Sequence, residues 1–346
     1  MELSPQTKSR IKRLLPKPAM FLFRHATLRS AYRQDRRRYM RYSSSLQPES
    51  SQENLAAWIT MLYHNIEKGL SLPAPRPGFG REAVGRLADY LDRYIIRFGH
   101  DEISAYALGA LDGYVRFNQR SGLNVDEIPE YDRIAALLSS SPDVRGGTKE
   151  IAREDFLRPS RDVSLDFFSG RSSVRQFDDR PVGQEDYEFA ARAAQKTPAV
   201  CNRQFSRIYV TTERDAIAKA LTIQGGARGF AENVPALAVI TTSTRAYWNA
   251  GERMQPWTDG GMFAMSFVLG LHARGLGSVC LNWSKTAKDD EVFQSAFAIQ
   301  ADEVIVMLVA FGHVPDNFEV ALSPRIPLDQ TLRTLRPHHD GANSGR

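Results

Sequence analysis

Gly170-Arg171-Ser172-Ser173-Val174-Arg175-Gln176-Phe177 is the stretch on which the reading of this chain turns. Two arginines four residues apart, with two hydroxyls between them, can surround a phosphate, because guanidinium forks match its oxygens and serines complete the hydrogen bonding. As chemistry this is an anion clamp, although a solvated basic turn has the same composition. Pro181 and a helical pattern follow it closely.

Working outward toward the C-terminus, the next segment is Thr197-Pro198-Ala199-Val200-Cys201-Asn202-Arg203-Gln204-Phe205, a loop between a predicted helix and a strand around Ile208. Asn and Gln carry both donors and acceptors, which suits the edge of a heterocycle such as a flavin; amides bonding their own backbone in a turn are the alternative. A long helix from about Asp259 to Arg274 then ends in Gly275-Leu276-Gly277-Ser278. Glycine there permits a left-handed cap and lets a flat ring approach the main chain, and ordinary helices end in the same way. Finally, Ser323-Pro324-Arg325-Ile326-Pro327-Leu328 holds Arg325 on a stiff segment, either as a further cation for a phosphate or as a plain surface arginine.

Between these segments, apolar β-rich runs predict strands at Arg207–Thr212, Ala236–Thr242, Ser278–Trp283 and Glu303–Gly312. Helical patterns fall at about 183–195, 213–221, 258–274 and 286–297. The layout is α+β or α/β around a central sheet.

Upstream, Leu55, Trp58, Ile59, Leu62 and Ile66 recur at helical spacing, and further helical patterns follow at about 80–98, 101–120 and 130–140, so residues 51–145 read as an all-helical region. Residues 146–164 read as a linker into a domain over 165–336, and residues 337–346 as a flexible tail. Within the predicted helices, His64 and Glu67 share a face, but two ligands do not make a metal site and a helix-stabilising polar pair is the expected role. No metal is expected.

The first 50 residues look like a basic arm, with Pro16 and Pro18 inside their one apolar stretch. Residues 1–42 hold twelve Lys and Arg against two acids, so the net charge of +5 is local to this end. A solvated or docking segment and an anionic membrane surface are both candidates for its role, and nucleic acid is not the expected partner. The 42% hydrophobic and 25% charged composition is that of a folded globular protein. Two cysteines, Cys201 and Cys280, exclude a disulfide framework and a cysteine-rich metal cage. With no apolar run long enough for a signal core or a membrane span, a cytoplasmic location is expected, peripheral to the inner face of the membrane if the arm meets it.

Taken in order, Arg-Ser-Ser-Val-Arg-x-Phe, Thr-Pro-x-x-x-Asn-x-Gln, Gly-Leu-Gly-Ser and Pro-Arg-x-Pro-Leu resemble the nitroreductase family of FMN-dependent oxidoreductases over about half of the chain. The resemblance implies an α+β fold, with a mainly antiparallel central sheet flanked by helices, here preceded by an all-helical N-terminal extension. By position, Arg171, Ser172, Ser173 and Arg175, joined by Arg325, inherit the FMN phosphate and ribityl chain. Pro198, Val200, Asn202 and Gln204 match the loop that reaches the flavin from the other subunit of an intertwined homodimer. Leu276, Gly277 and Ser278 match the turn beside the isoalloxazine ring.

The implied chemistry is ping-pong hydride transfer through flavin N5, from NADH or NADPH to a small organic acceptor. It requires no catalytic acid, base or nucleophile, and Cys201 lacks an assignable activating partner. Val200 stands where the family commonly has Ser, and Arg203 separates the two amides, so a more basic pocket and an anionic acceptor are expected. The N-terminal helices would cover the active site or dock a partner. The competing reading is a non-catalytic flavin-fold module for interaction or regulation at an anionic polymer or membrane surface.

Overall fold

In the computed structural model, which describes residues 16–160 and 163–337, an apolar strand pair sets the plan of the C-terminal half. The strands are β1 (Ser206–Thr211), β2 (Ala236–Ser243), β3 (Gly277–Asn282) and β4 (Glu303–Gly312), in the order β1-β2-β4-β3 with every pair antiparallel. All eight residues of β2 are buried because helices cover both faces of the sheet. Leu237 and Val239 face one helix layer, while Ala236, Ala238 and Ile240 face the other, as the two-residue period of a strand requires. Ile240 pairs with Met307 and Thr241 with Ile305, which leaves Val306 as an extra residue in β4 and changes which face its neighbours meet.

Twelve α-helices accompany this sheet among the described residues. Five precede it as the N-terminal region: α1 (Lys17–Tyr42), α2 (Gln52–Leu70), α3 (Arg81–Phe98), α4 (Glu102–Arg120) and α5 (Tyr131–Ser140). Two short ones follow, α6 (Arg153–Leu157) and α7 (Leu165–Gly170). The rest are α8 (Gln184–Gln195), α9 (Arg214–Gln224), α10 (Gln255–Ala273), α11 (Ala287–Phe297) and α12 (Leu328–Thr331). Helices α8 and α10 pack on one face of the sheet, and α9 and α11 on the other. Gly270 of α10 lies so close to α8 that a Cβ there would sit 2.6 Å from the Ala190 Cα.

The helical region has its own core, built from α2 to α5 around Leu55, Ile59, Leu87, Leu91, Leu108 and Tyr114. Its helices start where the caps stand: Ser51 accepts the Asn54 N–H, and Asp101 forms a capping box with Ser104. His64 and Glu67 pair at 3.3 Å, and Glu67 also accepts the Gly147 N–H, so this carboxylate holds the chain's exit from the bundle.

Residues 17–42, expected to behave as an arm, form one continuous helix. Pro16 and Pro18 lie at its start, where a missing N–H costs nothing and a fixed φ favours the helix. Its first half is solvated, with residues 21–30 all exposed. Its second half docks: Arg38 meets Asp290 at 2.8 Å, and the Tyr39 hydroxyl donates to the Asn249 carbonyl at 2.5 Å. The basic residues before Pro16 and the tail beyond residue 337 lie outside the described residues. No helix among the described residues is long and apolar enough to cross a membrane.

Candidate functional site

The chain after α7 runs alongside the free edge of β3. Ser173 bridges to Ser278 in parallel, and the Val174 N–H donates to the Ser278 carbonyl at 3.0 Å. This pairing brings the 170–175 segment against the 275–278 turn, and together they enclose a cleft of about 280 Å³ lined by Arg171, Ser172, Leu276, Gly277, Ser278 and His272, among others. Phe318 and Val320, from the segment after β4, close its far side.

The turn is held by a Schellman cap on α10. Gly275 takes φ +73°, its N–H donates to the His272 carbonyl at 2.9 Å, and the Leu276 N–H donates to the Leu271 carbonyl at 3.0 Å. The Leu276 N–H is therefore spent on the helix end and is not a free donor to a cofactor. A Cβ at Gly277 would lie 2.6 Å from Val314 and 3.0 Å from Val174, so glycine is needed there for the two segments to approach. Arg171 has no carboxylate within ion-pair distance among the described residues. Arg175 is exposed, and among the described residues its guanidinium meets only the Ser173 carbonyl, at 3.4 Å.

The 197–205 loop lines a separate cavity of about 390 Å³, with Pro198, Gln204, Tyr209, Asp259 and Phe263 in its walls. Three non-glycine departures within four residues mark its backbone: φ is +48° at Cys201, +55° at Asn202 and +52° at Gln204. Such conformations persist only where the surroundings enforce them. Here they are enforced from two sides. The Cys201 side chain packs against the core of the N-terminal helices. Arg203, 4% exposed, donates to the Val200 and Ala246 carbonyls and pairs with Glu252 at 2.7 Å.

Residues 168–227 and 219–313 match the Nitroreductase family. No curated protein matches the sequence. Among solved structures, the nitroreductase-like half resembles an FMN-dependent nitroreductase from Clostridium difficile at 16% identity, covering 51% of this chain and 99% of that one with a TM-score of 0.41. It also resembles a nitroreductase-like family protein from Bacillus cereus at 18% identity, covering 50% of this chain and 96% of that one with a TM-score of 0.42. A protein assigned as a nitroreductase from Desulfovibrio desulfuricans, solved in complex with FMN, is 21% identical over 50% of this chain and 97% of that one, with a TM-score of 0.43.

Within the nitroreductase-like domain, the expected site residues fall into two groups and one outlier. Arg171, Ser172, Leu276, Gly277 and Ser278 share the smaller cleft, with Ser173 and Arg175 on the same segment beside it. Pro198 and Gln204 line the larger cavity, with Val200 and Asn202 on the same loop. Arg325 lines neither; it is exposed and folds back on the Ser323 carbonyl. The loop amides satisfy each other in part, since Gln204 Nε2 donates to Asn202 Oδ1 at 3.0 Å and to the Asn202 carbonyl at 3.1 Å.

The expectation of a more basic acceptor pocket is corrected by Arg203. Its charge is buried, neutralised by Glu252 and stacked over the Tyr247 ring at 5.5 Å, so it anchors the loop from behind. The residue that sequence reading passed over is Asp259. It is 5% exposed, lines the larger cavity, and accepts from Tyr247 Oη at 3.1 Å, Gln255 Nε2 at 2.8 Å and the Val200 N–H at 3.4 Å. Burial, reinforced by the Asp259 charge, pushes the Tyr247 phenol far above its ordinary range, so it remains a donor. The available signal was an acid inside an otherwise apolar helix.

Proposed function

We propose that this chain is an FMN-dependent oxidoreductase that takes electrons from NADH or NADPH, delivers them to a small organic acceptor, and works as a homodimer. The observation that carries this reading is the cleft where Arg171 and Ser172 face the Leu276–Ser278 turn with no carboxylate among the described residues to neutralise the arginine. An unpaired guanidinium beside hydroxyls, in a cleft narrowed by an obligatory glycine at 277, suits a phosphate and its sugar-alcohol chain. At about 280 Å³ the cleft is at the lower edge of the roughly 300–1,000 Å³ usual for small-ligand sites, so it fits part of an FMN-sized molecule. The amide loop lines a different cavity of the same chain, which supports a site completed by a second copy.

In this reading Arg171 and Arg175 would bind the phosphate, Ser172 and Ser173 would complete its hydrogen bonding, and the Leu276–Ser278 turn would border the ring system. Asn202 and Gln204 of the partner copy read the ring edge, held in place by the buried Arg203–Glu252 pair and by Asp259. Bound FMN would supply the two-electron chemistry between the nicotinamide donor and the acceptor, while this chain's residues bind and orient it. No side chain at the site is required to exchange a proton.

The test is an absorbance spectrum of the purified protein between about 300 and 550 nm, repeated anaerobically after NADH or NADPH is added. Flavin bands that bleach with one nucleotide and return with a quinone or nitroarene are the expected result. A protein that takes up no flavin after incubation with FMN would overturn the assignment. One that binds FMN but is never reduced would leave the interaction-module reading in its place.

A further inference from the structure

Beside its contacts with Asp290 and Asn249, helix α1 leaves a cleft of about 650 Å³ between itself and the nitroreductase-like domain. Met40 and Leu46 wall it on one side, with Met254, Trp257 and Val304 on the other. A smaller hollow of about 290 Å³ shares Asp35, Arg38, Met254, Trp257 and Val304 with it, so the two form one elongated depression along α1. None of the residues assigned to the flavin lines either part. Its size and apolar lining are those of a small-ligand site.

The charges around this depression are unequal. Arg36, Arg38 and Arg253 line the larger part against a single carboxylate, Asp35. Arg38 is spent on Asp290 and also lies beside Asp35. Arg36 and Arg253 are exposed and have no acid within ion-pair distance among the described residues; Arg253 donates only to the Ala250 carbonyl, at 3.2 Å. Two uncompensated guanidinium groups beside an apolar trough complement a ligand with an anionic head and a hydrocarbon tail. A neutral hydrocarbon would leave both charges unanswered.

We infer that this cleft binds a free single-chain anionic amphiphile, its carboxylate or phosphate on Arg36 and Arg253 and its tail along Met40, Leu46, Met254 and Trp257. The site is independent of flavin binding, so either assignment can fail without the other. The experiment is calorimetric titration of the full chain with decanoate and with 1-decanol, both below their aggregation limits, together with sedimentation to record oligomeric state. Saturable binding of decanoate is expected, and R36E/R253E should weaken it by about tenfold or more while changing 1-decanol by no more than about twofold. Neither arginine holds an ion pair among the described residues, so this variant is expected to keep its melting temperature. M254E, at an exposed wall position, should weaken both ligands. Non-saturable binding, or equal losses for the two ligands in R36E/R253E, would overturn the proposal. So would a change of oligomeric state in that variant, which would make the cleft a contact between copies.

Discussion

Arg203 and Glu252 form an ion pair of 2.7 Å, with 2% of the arginine side chain and 13% of the glutamate side chain exposed, directly behind the loop that carries Asn202 and Gln204. Glu252 Oε2 also accepts the Trp248 N–H at 3.0 Å, so one carboxylate ties together two segments. Removing one partner leaves the other charge buried without compensation. Arg203→Met is therefore expected to lower unfolding free energy by about 3–5 kcal/mol, and Glu252→Gln should cost a similar amount, because it leaves the Arg203 charge uncompensated and its amide has one acceptor for two donors. Urea denaturation of the two variants measures this, and a loss under about 1 kcal/mol for Arg203→Met would show that the pair does not anchor the loop.

Arg171 meets no carboxylate among the described residues, so its neutral replacement should leave the fold alone and strike the ligand. Arg171→Ala is expected to weaken FMN binding by roughly ten- to a hundredfold, the equivalent of one charge-assisted hydrogen bond of about 1.5–3 kcal/mol. Quenching of free FMN fluorescence on titration with protein reads this directly. Unchanged affinity would move the phosphate elsewhere.

Cys201 sits at φ +48° with its side chain against the core of the N-terminal helices. A β-branched side chain tolerates that backbone poorly, so Cys201→Val should destabilise by about 1–3 kcal/mol although its size and polarity suit the contact. Cys201→Gly relaxes the backbone and loses only the packing. Thermal melts that rank valine above glycine would contradict the strain.

Gly270 and Ala190 bring α10 and α8 together, and a methyl group at 270 would meet the Ala190 backbone at 2.6 Å. Helix propensity favours Gly270→Ala, but the clash opposes it. A net loss of about 1–3 kcal/mol is expected, visible as a lower denaturation midpoint. Stabilisation would mean that the two helices slide apart freely.

Burial pushes the Tyr39, Tyr63 and Tyr209 phenols up from the ordinary 10.0 to about 12, with the Glu303 hydrogen bond adding to the effect at Tyr209. Between these values the folded chain holds protons that the unfolded chain has released, so stability falls as pH rises across that window. Denaturation midpoints recorded from neutral pH upward should decline beyond about pH 10. Tyr209→Phe should flatten the decline, and an unchanged slope would assign it to other groups.

Much of the architecture was legible locally. The β2 and β4 runs are apolar because both faces are buried, and the α2 to α4 patterns repeat at helical spacing because one face of each meets a shared core. Helix α1 was not legible. Its exposed stretch over residues 21–30 mixes Phe21, Leu22 and Phe23 with Arg24 and Arg29, so no apolar stripe announces it, and its prolines lie in the first turn. Arg203 read as a pocket cation because its sequence neighbours are the loop amides, while Glu252, which neutralises it, lies forty-nine residues away.

The sequence by itself determined which residues have the chemistry to hold a phosphate and a heterocycle, because that depends on side-chain type and short spacing. It also determined the strands and the helical region, because hydrophobic period is a local property. Only the tertiary structure decided that Arg171 and the Leu276–Ser278 turn share one cleft while Gln204 lines another, and that Arg203 faces inward. Those are contacts between segments distant in the chain, and their outcome depends on which charges find partners when the core closes.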